Sequence, residues 1–307
     1  MNRKKVLIFG GSGLVGSSSS RVFSETENYE VFSSSRKDTD LFNFKDTQKT
    51  ISDFNPDIII NCAAKVGGIL ANNNLRTEFI LENLKININI FEACISNPNI
   101  TIINLGSSCI YPLDAENPIK ETSIMTGKLE PTNSPYAMAK LSAIEIGDAI
   151  SKEYGHEVIN LMPTNLYGPN DHFSDDDSHV IPGLIHRMHK AKIKKDKEFS
   201  IWGSGNPLRE FLYVDDLSFA INKIIETNPH QNLINVGSGS EISIKELALL
   251  IKKIISYDGE LVFDNSKPDG NPRKLLDSKI LNNLEWSPRY GLEDGLELTY
   301  SWYLKSL

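Results

Sequence analysis

Cysteine is scarce in this 307-residue chain: Cys62, Cys94 and Cys109 are odd in number and widely spaced, with no CxxC pair. A disulfide framework and a zinc site are therefore not expected, and a reducing, cytoplasmic setting fits. Positive charge is also short, with 32 Lys and Arg against 40 Asp and Glu, a formal net charge of -8 and a pI near 5.4. Such a surface repels nucleic acid and anionic membranes, so neither is expected as a partner. The one basic run, Lys190 to Lys197 (KAKIKKDK), reads as a solvated helix face. No apolar run is long enough to span a bilayer. The opening MNRKKVLIFGGSGLVGSSSS imitates a signal peptide, but its glycine spacing has the better explanation given below. Internal repeats are missing, and the serine run at 17–20 is too short to count as low complexity.

What the chain does have is an alternation of short apolar runs with amphipathic stretches, the pattern of a parallel sheet flanked by helices. The runs are Val6 to Phe9, Tyr29 to Phe32, Ile58 to Cys62, Ile100 to Leu105 and Val158 to Met162, short and rich in β-branched residues as strands buried on both faces should be. Leu14 to Ser24, Thr77 to Ile95 and Tyr136 to Glu153 read as helices between them. The alternation stops at Pro163. The expected fold is α/β: a Rossmann-type doubly wound parallel sheet over residues 1–163, with return segments near 206–230, and a smaller C-terminal α/β substrate lobe over 164–307.

The first run leads into Gly10-Gly11-Ser12-Gly13-Leu14-Val15-Gly16 and then a helix. Glycines there permit a tight turn and close approach of a pyrophosphate, while the helix N-terminus offers free N–H groups to the anion. Gly10, Gly13, Leu14, Val15 and Gly16 are thus candidate cofactor contacts. An NAD site usually carries an acid about 20 residues beyond the glycines. Here the second run ends in Ser33-Ser34-Ser35-Arg36, with no carboxylate before Asp38. An arginine suits a ribose 2′-phosphate, so NADP(H) is the expected cofactor, held in part by Arg36.

Tyr136 and Lys140, in PYAMAK, stand four apart at a helix start and share a face. An ammonium beside a phenol lowers its pKa from about 10 and makes it a usable acid or base. Ser107 follows the fourth run, at the carboxyl end of a strand where ligands bind in such sheets. Together the three suit a carbonyl being reduced: Ser107 holds its oxygen, Tyr136 delivers the proton, and Lys140 tunes the tyrosine and grips the nicotinamide ribose.

CAAKVGGI (62–69), LGSSCIYP (105–112), LEPTNSPYAMAK (129–140), MPTNLYGPND (162–171), SHVIP (178–182), WGSG (202–205), REFLYVDD (209–216), INVGSG (234–239), SKPDG (266–270) and PRKLLD (272–277) run through nearly the whole chain. With them the sequence resembles the extended short-chain dehydrogenase/reductases, and among these the GDP-L-fucose synthase family of epimerase-reductases. The resemblance implies NADPH-dependent epimerisation at C3 and C5 of a GDP-linked 4-keto-6-deoxy sugar, followed by reduction at C4. It gives Cys109 the role of base and His179 that of acid, although a free thiol near pKa 8.5 needs surroundings that favour thiolate. It places Leu105, Gly106, Ser108, Pro163, Thr164, Asn165, Leu166 and His179 at the cofactor, and Arg187, Trp202, Arg209 and Asp269 at the GDP-sugar. No metal is implied, because His186 and His189 have no carboxylate or cysteine to complete a set. A homodimer packed through the helices 77–95 and 136–153 is also implied.

Two departures keep alternatives open. Ser12 stands where the family often has an arginine at the adenosine phosphate, and Ser174-Asp175-Asp176-Asp177 is unusually acidic where the sugar should enter. A C4-reductase acting on a related GDP-4-keto sugar or heptose, a non-catalytic NADP(H)-binding regulator and a UDP-hexose 4-epimerase are the competing readings.

Overall fold

Val6 to Phe9 are fully buried, and their side chains divide between two cores in the alternation that a strand imposes. Val6 and Ile8 join Val22, Phe23, Leu217 and Ile221 on one face of the sheet, and Leu7 and Phe9 join Ile51, Ile86, Ile90 and Ala143 on the other. The computed structural model describes residues 3–175, 177–266 and 269–307. Asp176 of the acidic run and Lys267 and Pro268 of SKPDG lie outside the described residues.

In chain order the first half comprises β1 (Lys4–Phe9), α1 (Leu14–Ser24), β2 (Tyr29–Ser34), α2 (Phe44–Phe54), β3 (Ile58–Asn61), α3 (Ile69–Asn74), α4 (Arg76–Cys94), β4 (Thr101–Leu105), α5 (Ser134–Tyr154) and β5 (Val158–Pro163). Then follow β6 (Asn165–Tyr167), α6 (Val180–Lys194), β7 (Glu198–Trp202), β8 (Leu208–Tyr213), α7 (Val214–Thr227), β9 (Leu233–Val236), β10 (Glu241–Ser243), α8 (Ile244–Ile255), β11 (Glu260–Asp264), β12 (Arg273–Lys274), α9 (Lys279–Asn282) and α10 (Leu292–Ser306).

The main sheet has six parallel strands in the order β2-β1-β3-β4-β5-β9. Strand order reverses between β1 and β3, which opens a crevice beyond their carboxyl ends. The fold class expected from the sequence is what forms. Its sixth strand, β9, was not among the five apolar runs, because it is only four residues long and arrives after the chain has left the sheet. Buried Asn61, Asn104 and Asn160 stand in register on β3, β4 and β5 and hydrogen-bond across the strands at 3.3 and 2.9 Å.

The remaining strands form smaller sheets: β8 pairs with β10, β12 and β6, and β7 pairs with β11. A separate core of Ile185, Met188, Phe199, Phe211, Leu247, Ile251 and Tyr300 joins them to α6, α8 and α10. No helix of the described residues is long and apolar enough to cross a membrane.

Candidate active site

The glycine loop is tight for identifiable reasons. Gly10 has φ +78°, and a Cβ there would lie 2.8 Å from the Ala63 backbone nitrogen. A Cβ on Gly16 would lie 2.2 Å from the Gly10 carbonyl oxygen, so helix and turn meet backbone to backbone. Gly13 caps α1 and its N–H donates to the Gly10 carbonyl at 3.0 Å, which closes the turn just before the first amides of the helix. Beyond β2, Arg36 is exposed. The Asp38 carboxylate is folded back onto the Ser35 backbone N–H and hydroxyl at 2.9 and 2.6 Å, bonds that hold its pKa below the ordinary range.

Ser107, Cys109, Tyr136 and Lys140 come together at the carboxyl end of β4. Ser107 caps the short turn Ser108–Ile110, accepts from the Cys109 backbone N–H at 3.2 Å and lies close enough to the Tyr136 phenol to ease its ionisation. Pro135 in the first turn of α5 presets the helix that carries Tyr136 and Lys140 on one face. Lys140 is 2% exposed and donates to the Leu105 carbonyl at 2.7 Å, with its Nζ 5.8 Å from the Tyr136 ring centroid. Burial lowers its pKa to about 8. The expectation that this ammonium depresses the phenol is corrected: burial pushes Tyr136 up, the Cys109 charge adds to the rise, and Ser107 opposes it. The ammonium is engaged with a backbone carbonyl, and the phenol stays protonated through the neutral range, as a proton donor requires.

Cys109 is half-buried, and the Lys274 ammonium on β12 stands 3.8 Å from its sulfur. Lys274 lies within PRKLLD, where nothing in the local sequence marks it as part of the site. His179 caps α6 and opens to solvent, and its imidazole hydrogen-bonds the Gly67 backbone. Crowding by the surrounding chain lowers its pKa, the His172 charge lowers it further, and the Gly67 bond opposes both.

A second group lies in the smaller lobe. The Arg187 guanidinium stacks 5.3 Å from the Phe199 ring and 5.7 Å from the Trp202 ring. The turn after Trp202 grips Asp269: the Ser204 N–H and hydroxyl donate to its carboxylate at 2.8 and 2.6 Å. Gly203, at φ +81°, has no room for a Cβ beside that carboxylate. Arg209 donates to the Leu208 and Asn271 carbonyls, and its charge interacts with Asp269.

The segment between the two groups is built into the fold. Gly106 donates to the Leu161 carbonyl at 2.8 Å, beside the buried Ser108, and Leu166 packs against the main core. Pro163 ends β5, and the Thr164 and Asn165 side chains donate to the Glu210 backbone carbonyl at 3.1 and 2.8 Å. Glu210 itself, fully buried and not singled out from sequence, accepts from the Gly239 and Leu276 amides at 2.7 and 3.1 Å. His186 and His189 hydrogen-bond the hydroxyls of Tyr303 and Tyr300, both at 2.9 Å.

Residues 6–237 match the NAD dependent epimerase/dehydratase family. The chain is 43% identical over 303 residues to GDP-L-fucose synthase 1 of Arabidopsis thaliana, covering 99% of this chain and 94% of that protein. Among solved structures, a GDP-6-OMe-4-keto-L-xylo-heptose reductase from C. jejuni superposes with a TM-score of 0.91 at 28% identity, covering 100% of this chain and 99% of that one. A GDP-L-fucose synthetase from Naegleria fowleri bound to NADP superposes with a TM-score of 0.90 at 28% identity, covering 100% and 96%.

Proposed function

The chain belongs to the NAD dependent epimerase/dehydratase family, and from that premise we propose that it converts GDP-4-keto-6-deoxy-D-mannose to GDP-L-fucose by 3,5-epimerisation and NADPH-dependent 4-reduction. The observation that carries this reading is the meeting of Ser107, Cys109, Tyr136 and Lys140 at one strand end, in a chain 43% identical over 303 residues to a GDP-L-fucose synthase. Residues 1–163, with return segments near 206–230, hold the dinucleotide; 164–307 mainly hold the GDP-sugar through Arg187, Trp202, Arg209 and Asp269.

The residues present fit NADP(H). A backbone cradle with no room for a Cβ at Gly10 and Gly16 suits a pyrophosphate, and an exposed Arg36 beside an Asp38 already bonded to its own turn suits a 2′-phosphate. Leu105, Gly106, Ser108, Lys140, His179 and Pro163 to Leu166 would complete the site. When bound, the cofactor supplies the hydride for C4.

In epimerisation the Cys109 thiolate removes a proton from the carbon next to the C4 ketone, and the electron pair moves onto the ketone oxygen. The Ser107 hydroxyl and Tyr136 phenol donate hydrogen bonds to that oxygen, where the charge develops. His179 returns a proton on the opposite face. In the reduction Tyr136 gives its proton to the C4 oxygen, with Ser107 the neighbour that eases its loss.

Exposed Leu81 and Ile88 on α4 and Met138 on α5 offer an apolar face for the proposed homodimer. The absence of cysteine pairing in the sequence supports a cytoplasmic site of action. A C4-reductase without epimerisation is the second reading, favoured by the TM-score of 0.91 to a reductase of a GDP-4-keto-heptose.

The test is to mix the protein with NADPH and GDP-4-keto-6-deoxy-D-mannose and identify the product by NMR, with a parallel incubation in deuterated water lacking NADPH. GDP-L-fucose together with deuterium at C3 and C5 is the expected result. Reduction without deuterium uptake selects the second reading, and no turnover despite tight NADPH binding selects a regulator.

A further inference from the structure

Lys274 takes no part in the chemistry above, yet its ammonium is 3.8 Å from the Cys109 sulfur, across 165 residues of chain. We propose that Lys274 is a positioning residue for Cys109: its fixed positive charge holds the sulfur as a thiolate before any substrate arrives. The proposal rests on the reading of Cys109 as the base, but it concerns the free protein and can be tested without turnover.

The lysine is framed on both sides. β12 is only two residues long, with Lys274 in register with Arg209 of β8. Before it, the Arg273 guanidinium clasps the Glu241 carboxylate at 2.9 and 2.6 Å. After it, the Leu275 N–H donates to the Asn117 side chain at 2.8 Å and the Leu276 N–H to buried Glu210 at 3.1 Å. The backbone beneath the lysine is pinned, so only side-chain freedom is lost when the ammonium settles on the sulfur, and in a half-buried site the attraction exceeds its value in water.

The other groups at Cys109 cannot do this work. The Tyr136 phenol and the Ser107 hydroxyl are neutral, and the phenol's own titration is pushed further up by charge on Cys109. The Lys140 ammonium is bonded to the Leu105 carbonyl and acts on Cys62. During the reaction the Lys274 ammonium keeps its proton. The sulfur takes the proton from carbon and becomes a thiol while the electron pair passes to the ketone oxygen, and the same positive charge then favours release of that proton.

Burial makes the experiment selective, because the thiols of Cys62 and Cys94 are both pushed up to about 12 and stay protonated near neutrality. Alkylation by iodoacetamide, followed against pH in the absence of substrate and cofactor, therefore reads Cys109, with Cys109→Ser as the blank. Lys274→Met should alkylate about tenfold more slowly at pH 7 and move the profile to higher pH, whereas Lys274→Arg should stay near the parent. Should Lys274→Met fail to fold, the parent alone remains decisive: absorbance at the thiolate band at pH 7 should exceed that of Cys109→Ser. An unchanged alkylation profile in Lys274→Met, even with weaker GDP-sugar binding, overturns the proposal, as does absence of the thiolate band in the parent. A missing deuterium uptake by the parent would instead remove the epimerase reading and leave these results standing.

Discussion

Replacing Lys140 with Met should make the protein less able to reduce its substrate and no less stable at neutral pH. In the folded chain the ammonium is 2% exposed, and burial lowers its pKa from 10.5 to about 8. Below pH 8 the lysine is protonated in both folded and unfolded chains, so folding carries the full cost of burying the charge, about 3 kcal/mol. Between pH 8 and 10.5 the folded group is neutral while the unfolded one still holds its proton, and the cost is relieved as pH rises. Methionine keeps the unbranched stem and removes the charge, but leaves the Leu105 carbonyl without its donor at 2.7 Å, a loss of about 1–3 kcal/mol. The two nearly cancel at pH 7, with a net gain of up to about 2 kcal/mol for the variant. Urea unfolding without cofactor, at intervals from pH 7 to 10.5, reads the difference between the two proteins. The Cys62 thiol, pushed up to about 12, makes stability fall with alkaline pH, but it is present in both. The parent should gain on the variant by about 3 kcal/mol across this range. Parallel curves would refute the claim that a buried charge is held at Lys140.

Tyr136→Phe should slow reduction by about a hundredfold to ten-thousandfold while NADPH binding, followed by fluorescence, is unchanged; a rate near the parent's would exclude the phenol as proton donor. Cys109→Ser should impair deuterium uptake at C3 and C5 far more than reduction of a pre-epimerised substrate, and equal loss of both would count against the base role. Arg36→Asp should raise the NADPH dissociation constant by about tenfold or more with little effect on NADH, since only the former carries the 2′-phosphate. An unchanged NADPH to NADH ratio would remove Arg36 from the cofactor site.

The parts of the fold that could be read from sequence are those with a short period. β1 and α1, with the glycine turn between them, announce themselves because apolar pattern, turn chemistry and helix start fall within 21 residues. Tyr136 and Lys140 were readable because one helix carries both at a spacing that forces a shared face. β9 is harder: LINV is four residues long, and only its pairing with β5 across some seventy residues makes it part of the main sheet. The phenol's titration was misjudged for a different reason. Sequence spacing placed a lysine beside it, but the direction of that lysine and the depth of burial are properties of the packed chain, and these decide which effect wins.

Lys274 and Glu210 share that character. In sequence each is one charged residue in a short strand, and such residues are usually solvated. Their significance comes from joining segments that no local pattern relates. The Glu210 carbonyl ties Thr164 and Asn165 at the end of β5, while its carboxylate ties the loop after β9 and the segment after β12. Gly237 belongs to the same knot, since a Cβ there would lie 2.4 Å from a Glu210 carboxylate oxygen. Burial raises the pKa of this carboxyl, and the amides of Gly239 and Leu276 oppose the rise. One of those amides, that of Leu276, is only two residues beyond Lys274, so the buried carboxyl anchors the chain next to the lysine that approaches Cys109. The thiol in the turn after β4 thus meets a cation on β12, a strand held in place by its pairing with β8.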